Sequence, residues 1–376
     1  MISRSGVIGV NLLWLVPGVV GGSEEYTVRL LQAVGPHLDP DLRLRLYGRR
    51  DLFQRYPDLA EAHQAVVAPA DGNRVIRVAR ESTWLAAATV DDLVVHHAGG
   101  TMPLRRSAPG LVTVHDLQPL EMPEHFHRLK RRWLARAIPA AVKAARLVLC
   151  PSQFTADRIA TLLDVPRPRL RVIPHGHRSA GRDLSGIPDP AGRFGRYVLL
   201  PAIAYPHKRH VDLVRAVGQL EPGLDDLSIV LTGRAGPELD AIRTEAFRSG
   251  VADRVHVLGR VPAAELEALY RSAQALVFPS SYEGFGNPAL EAMSYECPAV
   301  VSDGGALPEV VGDAGVVVPV GDVGALSAAI AKVATDQGFA EDLRRRGRER
   351  AATFDVGIAA ARLAEVYRES VGVGRR

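Results

Sequence analysis

Two carboxylates, a lysine and a histidine mark where this chain could do chemistry. Glu283 and Glu291 stand with seven residues between them inside FPSSYEGFGNPALEAMSYECPAVVSDGGALPEV (278–310). The apolar run ALVF (275–278) reads as a short strand ending at Pro279, SSYEGFGN as a turn, and ALEAM as a helix opened by Pro288. The spacing predicts Asn287 as N-cap and Pro288 as first helical residue, where a missing N–H costs nothing. Strand, glycine loop and helix N-terminus make an anion-ready site at the carboxyl edge of a sheet. Gly284 and Gly286 let backbone amides approach a ligand with no Cβ between. A surface turn carrying two solvated glutamates would show the same spacing.

Three more positions share that placement. Lys208, in PHKRH (206–210), sits between a strand and a helix, where an ammonium can neutralise a departing diphosphate. His115 follows the strand LVTV and could donate a hydrogen bond to a hydroxyl or stabilise developing charge. Gly21 and Gly22 join the first strand to the first helix, where bare amides can hold a diphosphate or another anionic group. His96-His97 and Gly99-Gly100, one strand end earlier, are further candidate contacts. With twelve histidines in the chain and glycines common in such turns, each of these also fits a structural role.

The elements that must carry these residues alternate. GVIGVNLLWLV, LRLRLYG (42–48), DLVVHH (92–97), LVTVHD (111–116), ARLVLCPS (145–152) and LRVIPHG (170–176) read as strands, with a helix over 21–34 that uses Ser23 as N-cap. A second series follows: RYVLLPAI (196–203), LSIVLTG (227–233), VHVLG (255–259), ALVFPS (275–280), PAVVS (298–302) and GVVVP (315–319), with helices over 210–220, 237–248 and 265–271. Apolar runs of this length between helices indicate parallel sheets covered on both faces. SAGRDLSGIPDPAGRFG (179–195) has a linker's composition, and 339–367 is helical and charged.

Composition bounds the rest. The 376 residues suit two soluble domains; 47% are hydrophobic and 23% charged. Net charge is +4, and only four of the 46 basic residues are lysine, so basicity gives no clear pointer to nucleic acid. Cys150 and Cys297 make no disulfide framework, and a buried thiol is the expected state. No cluster with metal-ligand spacing stands out; Asp91-Asp92 and Asp225-Asp226 read as turn residues. Residues 5–23 are uncharged and imitate a signal or anchor, but Asn11, Pro17 and five glycines interrupt them. The stretch 127–146 holds seven Lys/Arg and no acid. Projected as a helix it puts six basics on one face and Leu129, Trp133, Ala137 and Ala141 on another. That face could touch an anionic membrane or a phosphorylated acceptor, and a solvated helix face explains it equally.

EGFGNPALEAM, followed by CPAV and LPEVVGDAG, resembles the donor-site signature of glycosyltransferase family 4, whose E-x7-E falls on Glu283 and Glu291. The resemblance spans nearly the whole chain and is strongest over 196–320. It implies an α/β GT-B fold: two Rossmann-like domains facing each other across a deep cleft. The N-terminal acceptor domain would cover 1–178, the linker 179–195 and the donor domain 196–355, with 356–376 a helix returning to the first. It implies a retaining hexosyltransferase that needs no metal or other cofactor. Its donor would be a nucleotide sugar, GDP-mannose first and a UDP-hexose next. Its acceptor would be a hydroxyl on a glycan, glycolipid or small molecule.

By that analogy Glu291 binds the ribose, while Glu283 and the amides of Phe285, Gly286 and Asn287 hold sugar hydroxyls. Lys208 stabilises the leaving diphosphate, and His115, in VTVHDLxPL, faces the transferred sugar. Gly233 in LTGRAG and Val261 in LGRVP lie near phosphate and base, and the Gly21-Gly22 loop faces the donor. One departure stands out: Ala202 occupies the position where many members hold a phosphate-binding arginine, leaving His207 or Arg209 to compensate. A cytoplasmic protein is implied, with 127–146 available for peripheral contact with the inner face of the membrane, and with no nucleic-acid partner. A non-transferring enzyme of this fold, such as a sugar-nucleotide epimerase, would share these motifs. So would a membrane or nucleic-acid binding module with a decayed site.

Overall fold

The computed structural model describes residues 6–19, 21–69, 74–177 and 184–372. The chain divides into two compact units, one of residues 1–176 and 355–376, the other of residues 177–354.

The first unit holds seven strands: β1 Gly6–Asn11, β2 Leu42–Gly48, β3 Gln64–Val67, β4 Val94–His97, β5 Gly110–Thr113, β6 Leu147–Cys150 and β7 Leu170–Val172. They form one parallel sheet in the order β3-β2-β1-β4-β5-β6-β7. Ile8, Val10, Leu44, Leu46, Val94 and Leu111 sit inside it, because strands covered on both faces must be apolar on both. Helix Val356–Gly372, last in the chain, closes one side: Leu363 and Tyr367 are fully buried among these residues. His96 Nδ1 lies 2.8 Å from the Tyr367 hydroxyl and its Nε2 2.7 Å from Thr113 Oγ1.

The second unit holds β8 Tyr197–Pro201, β9 Ser228–Thr232, β10 Val255–Gly259, β11 Ala275–Phe278, β12 Ala299–Ser302 and β13 Gly315–Val318. The order is β10-β9-β8-β11-β12-β13, again all parallel. In both sheets the chain winds one way and then the other, so the order reverses between β1 and β4 and between β8 and β11. The crevice outside the carboxyl ends of such a pair is where open α/β sheets bind ligands.

Several expectations need correcting. The strand expected to run through Val16 ends at Asn11, and residues 12–19 turn. Ser23 lies within helix Gly22–Val34, which Gly21 caps at φ 84°. The predicted linker falls partly outside the described residues. Its remainder includes helix Pro190–Phe194, where Asp189 accepts from the N–H groups of Ala191 and Gly192 and Phe194 enters the second core. Linker composition and a capped short helix call for the same residues. The charged end is two helices, Gln337–Ala352 and Val356–Gly372. Asp92 does close a turn before β4, its N–H donating to the Thr89 carbonyl at 3.2 Å, but it is also buried and takes hydrogen bonds from Arg45 at 2.9 Å and Tyr47 at 2.8 Å.

Candidate active site

The second unit's switch point gathers the predicted donor residues. After β8 the chain makes a 3-10 turn, Pro206–Lys208, and Arg209 adopts a left-handed conformation (φ 53°) to start helix His210–Gly218. The His207 carbonyl pins this turn to the loop leaving β11. It accepts from Ser281 N–H at 2.7 Å, Ser280 Oγ at 3.0 Å and Ser281 Oγ at 3.3 Å. The result sets Lys208 Nζ 2.5 Å from Glu283 Oε1, a pair 75 residues apart in the chain. Their side chains keep only 17% and 12% of their exposure, and the ammonium lies 5.0 Å from the centre of the Phe278 ring.

A third loop supports Glu283 from behind. Ala306 N–H donates to the Glu283 carbonyl at 2.9 Å. A Cβ on Gly305 (φ 71°) would fall 2.4 Å from that oxygen and 2.6 Å from the Glu283 nitrogen, and one on Gly304 would meet the Ser280 carbonyl at 2.0 Å. The pair Gly304-Gly305 is thus what lets two backbones touch here. No role was assigned to it from sequence, although GG one residue after the PAVVS strand was the available signal. Gly286, at φ 107°, is the N-cap of helix Asn287–Ser294, so Asn287 is its first residue and not its cap. Phe285 is buried, its ring set edge-on to Phe354 at 5.7 Å.

Glu291 stands on that helix and receives a hydrogen bond on Oε2 from the Tyr270 hydroxyl at 3.1 Å. Tyr270, on helix Ala263–Ser272, is wholly buried; burial and then the Glu291 charge raise its pKa well above the ordinary tyrosine value. It therefore stays a donor, and it was not anticipated. Gly233 keeps its place for a backbone reason: at φ 120° its N–H donates to the Gly259 carbonyl at 2.8 Å, and a Cβ would sit 2.7 Å from the Ala202 oxygen. Its own amide is therefore spent on joining two strand ends. Val261 lies half-buried just beyond.

Of the residues expected to stand in for an arginine at Ala202, Arg209 is bound to Asp212 of its own helix at 2.5 Å, while His207 stacks on Tyr205. Ala202 itself accepts through its carbonyl from His210 Nε2 at 3.3 Å. Burial lowers the pKa of His210 to about 4, which keeps the ring neutral.

In the first unit, His115 follows β5. Its Nε2–H donates to the Ala98 carbonyl at 2.8 Å, and its ring lies edge-on to Tyr26 at 5.7 Å. Burial lowers its pKa to about 4. A carbonyl can only accept, so the neutral ring carries its proton on Nε2 and presents Nδ1 as a lone pair. Nothing among the described residues bonds Nδ1. Nδ1 is thus an unpaired acceptor that is itself buried, and the ring's proton sits on the Ala98 side. Gly21 faces open space, with no atom within 4 Å of where a Cβ would stand, and Gly22 opens the helix beside it. The loop before them is fixed by Glu24, which accepts from Gly18 N–H at 2.8 Å and from the Tyr56 hydroxyl at 2.8 Å.

Two other sets of candidates fare differently. His96 and His97 are buried, His96 against Tyr367 and Thr113 and His97 Nδ1 3.2 Å from Asn11 Nδ2, so neither reaches a ligand. The basic stretch is helix Arg128–Ala144, but it buries Leu134, Ile138, Ala141 and Val142, and Leu129 is 70% exposed. The expected apolar face was rotated from the true one, because Leu129 lies in the basic first turn, ahead of where packing starts.

Two parallel, doubly covered sheets with chemistry-bearing residues at their carboxyl ends define a GT-B glycosyltransferase. Comparison with known proteins agrees. Residues 195–350 match the model of glycosyl transferases group 1, and residues 20–178 that of Glycosyltransferase Family 4. The chain belongs to this family. It is 31% identical to the O-antigen chain mannosyltransferase B of Escherichia coli, over 73% of this chain and 74% of that one. It is also 31% identical to the lipopolysaccharide core biosynthesis mannosyltransferase LpcC of Rhizobium leguminosarum bv. viciae, over 66% and 70%. Among solved structures, sucrose-phosphate synthase of Thermosynechococcus elongatus shares the fold at TM-score 0.77 and 19% identity, over 98% of this chain and 100% of that one. Anabaena HepE in complex with UDP and glucose does so at 0.74 and 19%, over 97% and 100%.

Proposed function

We propose that this hexosyltransferase takes mannose from GDP-mannose, with a UDP-hexose the next candidate, and transfers it with retention to a hydroxyl of a glycan or glycolipid. The observation that carries the donor assignment is the Lys208–Glu283 pair at the β8/β11 switch point, with Glu291 one helix turn beyond the loop. Mannose is supported by relatives named as mannosyltransferases, and a glycan or glycolipid acceptor by the O-antigen and lipopolysaccharide-core names. The structural likeness to a protein bound to UDP and glucose keeps the UDP-sugar in view.

In this reading Glu291, oriented by Tyr270, accepts from the ribose hydroxyls. Glu283 accepts from hydroxyls of the sugar, with the backbone at Phe285, Gly286 and Asn287 beside it. Gly233 and Val261 shape the nucleotide's end of the site. Lys208 exchanges Glu283 for the diphosphate and meets the charge that grows as the bond from the anomeric carbon to phosphate oxygen breaks. The acceptor oxygen forms its bond to the same face, and its proton passes to the departing phosphate oxygen. Lys208 supplies the cation, so a chelator leaves turnover unchanged. In the first unit, His115 Nδ1 accepts from a ligand hydroxyl, and the Gly21-Gly22 turn offers backbone to an anionic group. Work in the cytoplasm, at the membrane face where a glycolipid is reached, fits these substrates.

Thermal shifts with GDP-, UDP-, ADP- and TDP-sugars test the donor. A ligand at a hundredfold excess over its Kd stabilises by about 2.7 kcal/mol. GDP-mannose should shift the wild type and not Glu291→Ala; a shift by another nucleotide alone would replace mannose in this assignment, and no shift by any would remove the donor site.

A further inference from the structure

The first unit carries a group of cations that the donor chemistry does not use. Helix Arg74–Arg80 follows β3, and helix Arg128–Ala144 follows β5, so both leave the carboxyl edge of the sheet, the edge that also bears His115. The two helices meet through Arg74, whose guanidinium lies 4.3 Å from the centre of the Trp133 ring. One turn before Trp133, the Lys130 ammonium stands 4.8 Å from the Phe126 ring. Arg77, one turn after Arg74, completes the group.

Among the described residues these cations are poorly compensated. Burial and the charge of Arg77 lower the pKa of Arg74, and burial and the charge of Arg74 lower that of Lys130. Two carboxylates of the described residues are near. Glu81 lies 3.9 Å from Arg77 and is held by Asn11 Nδ2 at 3.3 Å; Asp116 spends one oxygen on the Gln118 N–H at 3.0 Å. Among the described residues no ion pair joins Arg74 or Lys130 to either. Holding like charges together on aromatic rings costs free energy that a bound anion returns.

We propose that Arg74, Lys130 and Arg77 form a subsite for a phosphate or diphosphate group on the acceptor, with Trp133 as the platform that fixes the Arg74 guanidinium. Arg74 offers the planar fork suited to phosphate oxygens, and Lys130 a point charge beside it. The subsite rests on the transferase reading for its meaning, since it names the class of acceptor: one whose hydroxyl and phosphate are both presented to this edge.

Calorimetric titration of the full chain with inorganic pyrophosphate, in saturating GDP, tests it. The wild type should bind pyrophosphate, and Arg74→Ala/Lys130→Ala should weaken that binding about a hundredfold or more, as loss of two charge-assisted contacts predicts. Arg74→Lys/Lys130→Arg keeps both charges and should bind more tightly than the alanine variant but more weakly than wild type, which separates lost charge from lost structure. GDP binding should be equal in all three; its absence from the wild type would count against the donor reading and leave this one standing on the pyrophosphate result. Pyrophosphate binding that is absent, or equal in wild type and the alanine variant, would overturn the subsite. Sedimentation with phosphatidylglycerol vesicles closes the remaining route. Should the wild type bind vesicles through these residues but not pyrophosphate, the cluster is a membrane surface and the proposal fails.

Discussion

Lys208 Nζ and Glu283 Oε1 are 2.5 Å apart, although they leave the sheet on two different strands. The cation proposed for the leaving diphosphate is therefore held by the carboxylate proposed for the sugar. Lys208→Ala should lower kcat/KM about 10²–10³-fold, the usual loss when a donor to developing charge is removed. It should also reduce stability, because Glu283 keeps its burial and loses its cation. Lys208→Ala/Glu283→Ala should then be no less stable than Lys208→Ala. Denaturant titration of the four forms reads this as a coupling energy, and strict additivity would show that the pair is not formed.

Tyr270→Phe deletes one hydroxyl and little volume. The nucleotide's Kd should rise about five- to tenfold, near the net worth of one ordinary hydrogen bond, while kcat at saturating donor stays near wild type. Fluorescence titration with GDP measures the first and initial rates the second. An unchanged Kd would mean that Glu291 does not need its partner.

Gly305→Ala tests the support behind Glu283. The new Cβ would fall 2.4 Å from the Glu283 carbonyl, and φ is 71°. Displacing the carboxylate by about 1 Å should cost about 10²-fold in kcat/KM, with a lowered Tm. Gly21→Ala meets no atom within 4 Å. It should cost about 1 kcal/mol, from its left-handed backbone alone. Kinetics and melting of the two variants side by side separate steric displacement from backbone strain.

Acid should destabilise the first unit through its buried histidines. Burial lowers the pKa of His96 and of His97 to about 3. Each is neutral when folded and takes up a proton near pH 6.5 when unfolded. Their contribution is full above pH 6.5 and is lost as pH falls from there toward 3, by up to about 1.4 kcal/mol per pH unit for each. Urea midpoints between pH 7 and 4 should fall accordingly, and His97→Gln should flatten the slope. A pH-independent midpoint over that range would contradict the buried neutral rings.

Much of this was legible in the chain. Strands such as Ala275–Phe278 were readable to the residue, because doubly covered strands are short apolar runs and few other elements are. What sequence could not show depends on contacts between distant segments. Tyr270 looks like any apolar helix position until Glu291 is beside it, and the His207 carbonyl gains its role only from Ser280 and Ser281 on another strand. His115 was placed correctly at a strand end, yet its tautomer is dictated by Ala98, 17 residues away. Gly286 and Asn287 were misassigned by one position because both residue types suit a cap, and only the backbone angle decides.

Helix Val356–Gly372 has a consequence for how the protein is made. Its Leu363 and Tyr367 lie inside a core whose members outside this helix come from the first 176 residues. On the ribosome, that earlier segment must wait with an apolar face uncovered while the intervening unit is synthesised. At about 5–20 residues per second this takes some ten seconds or more. The second unit, later in sequence, can therefore finish folding first, and the first unit is completed only from the far end of the chain.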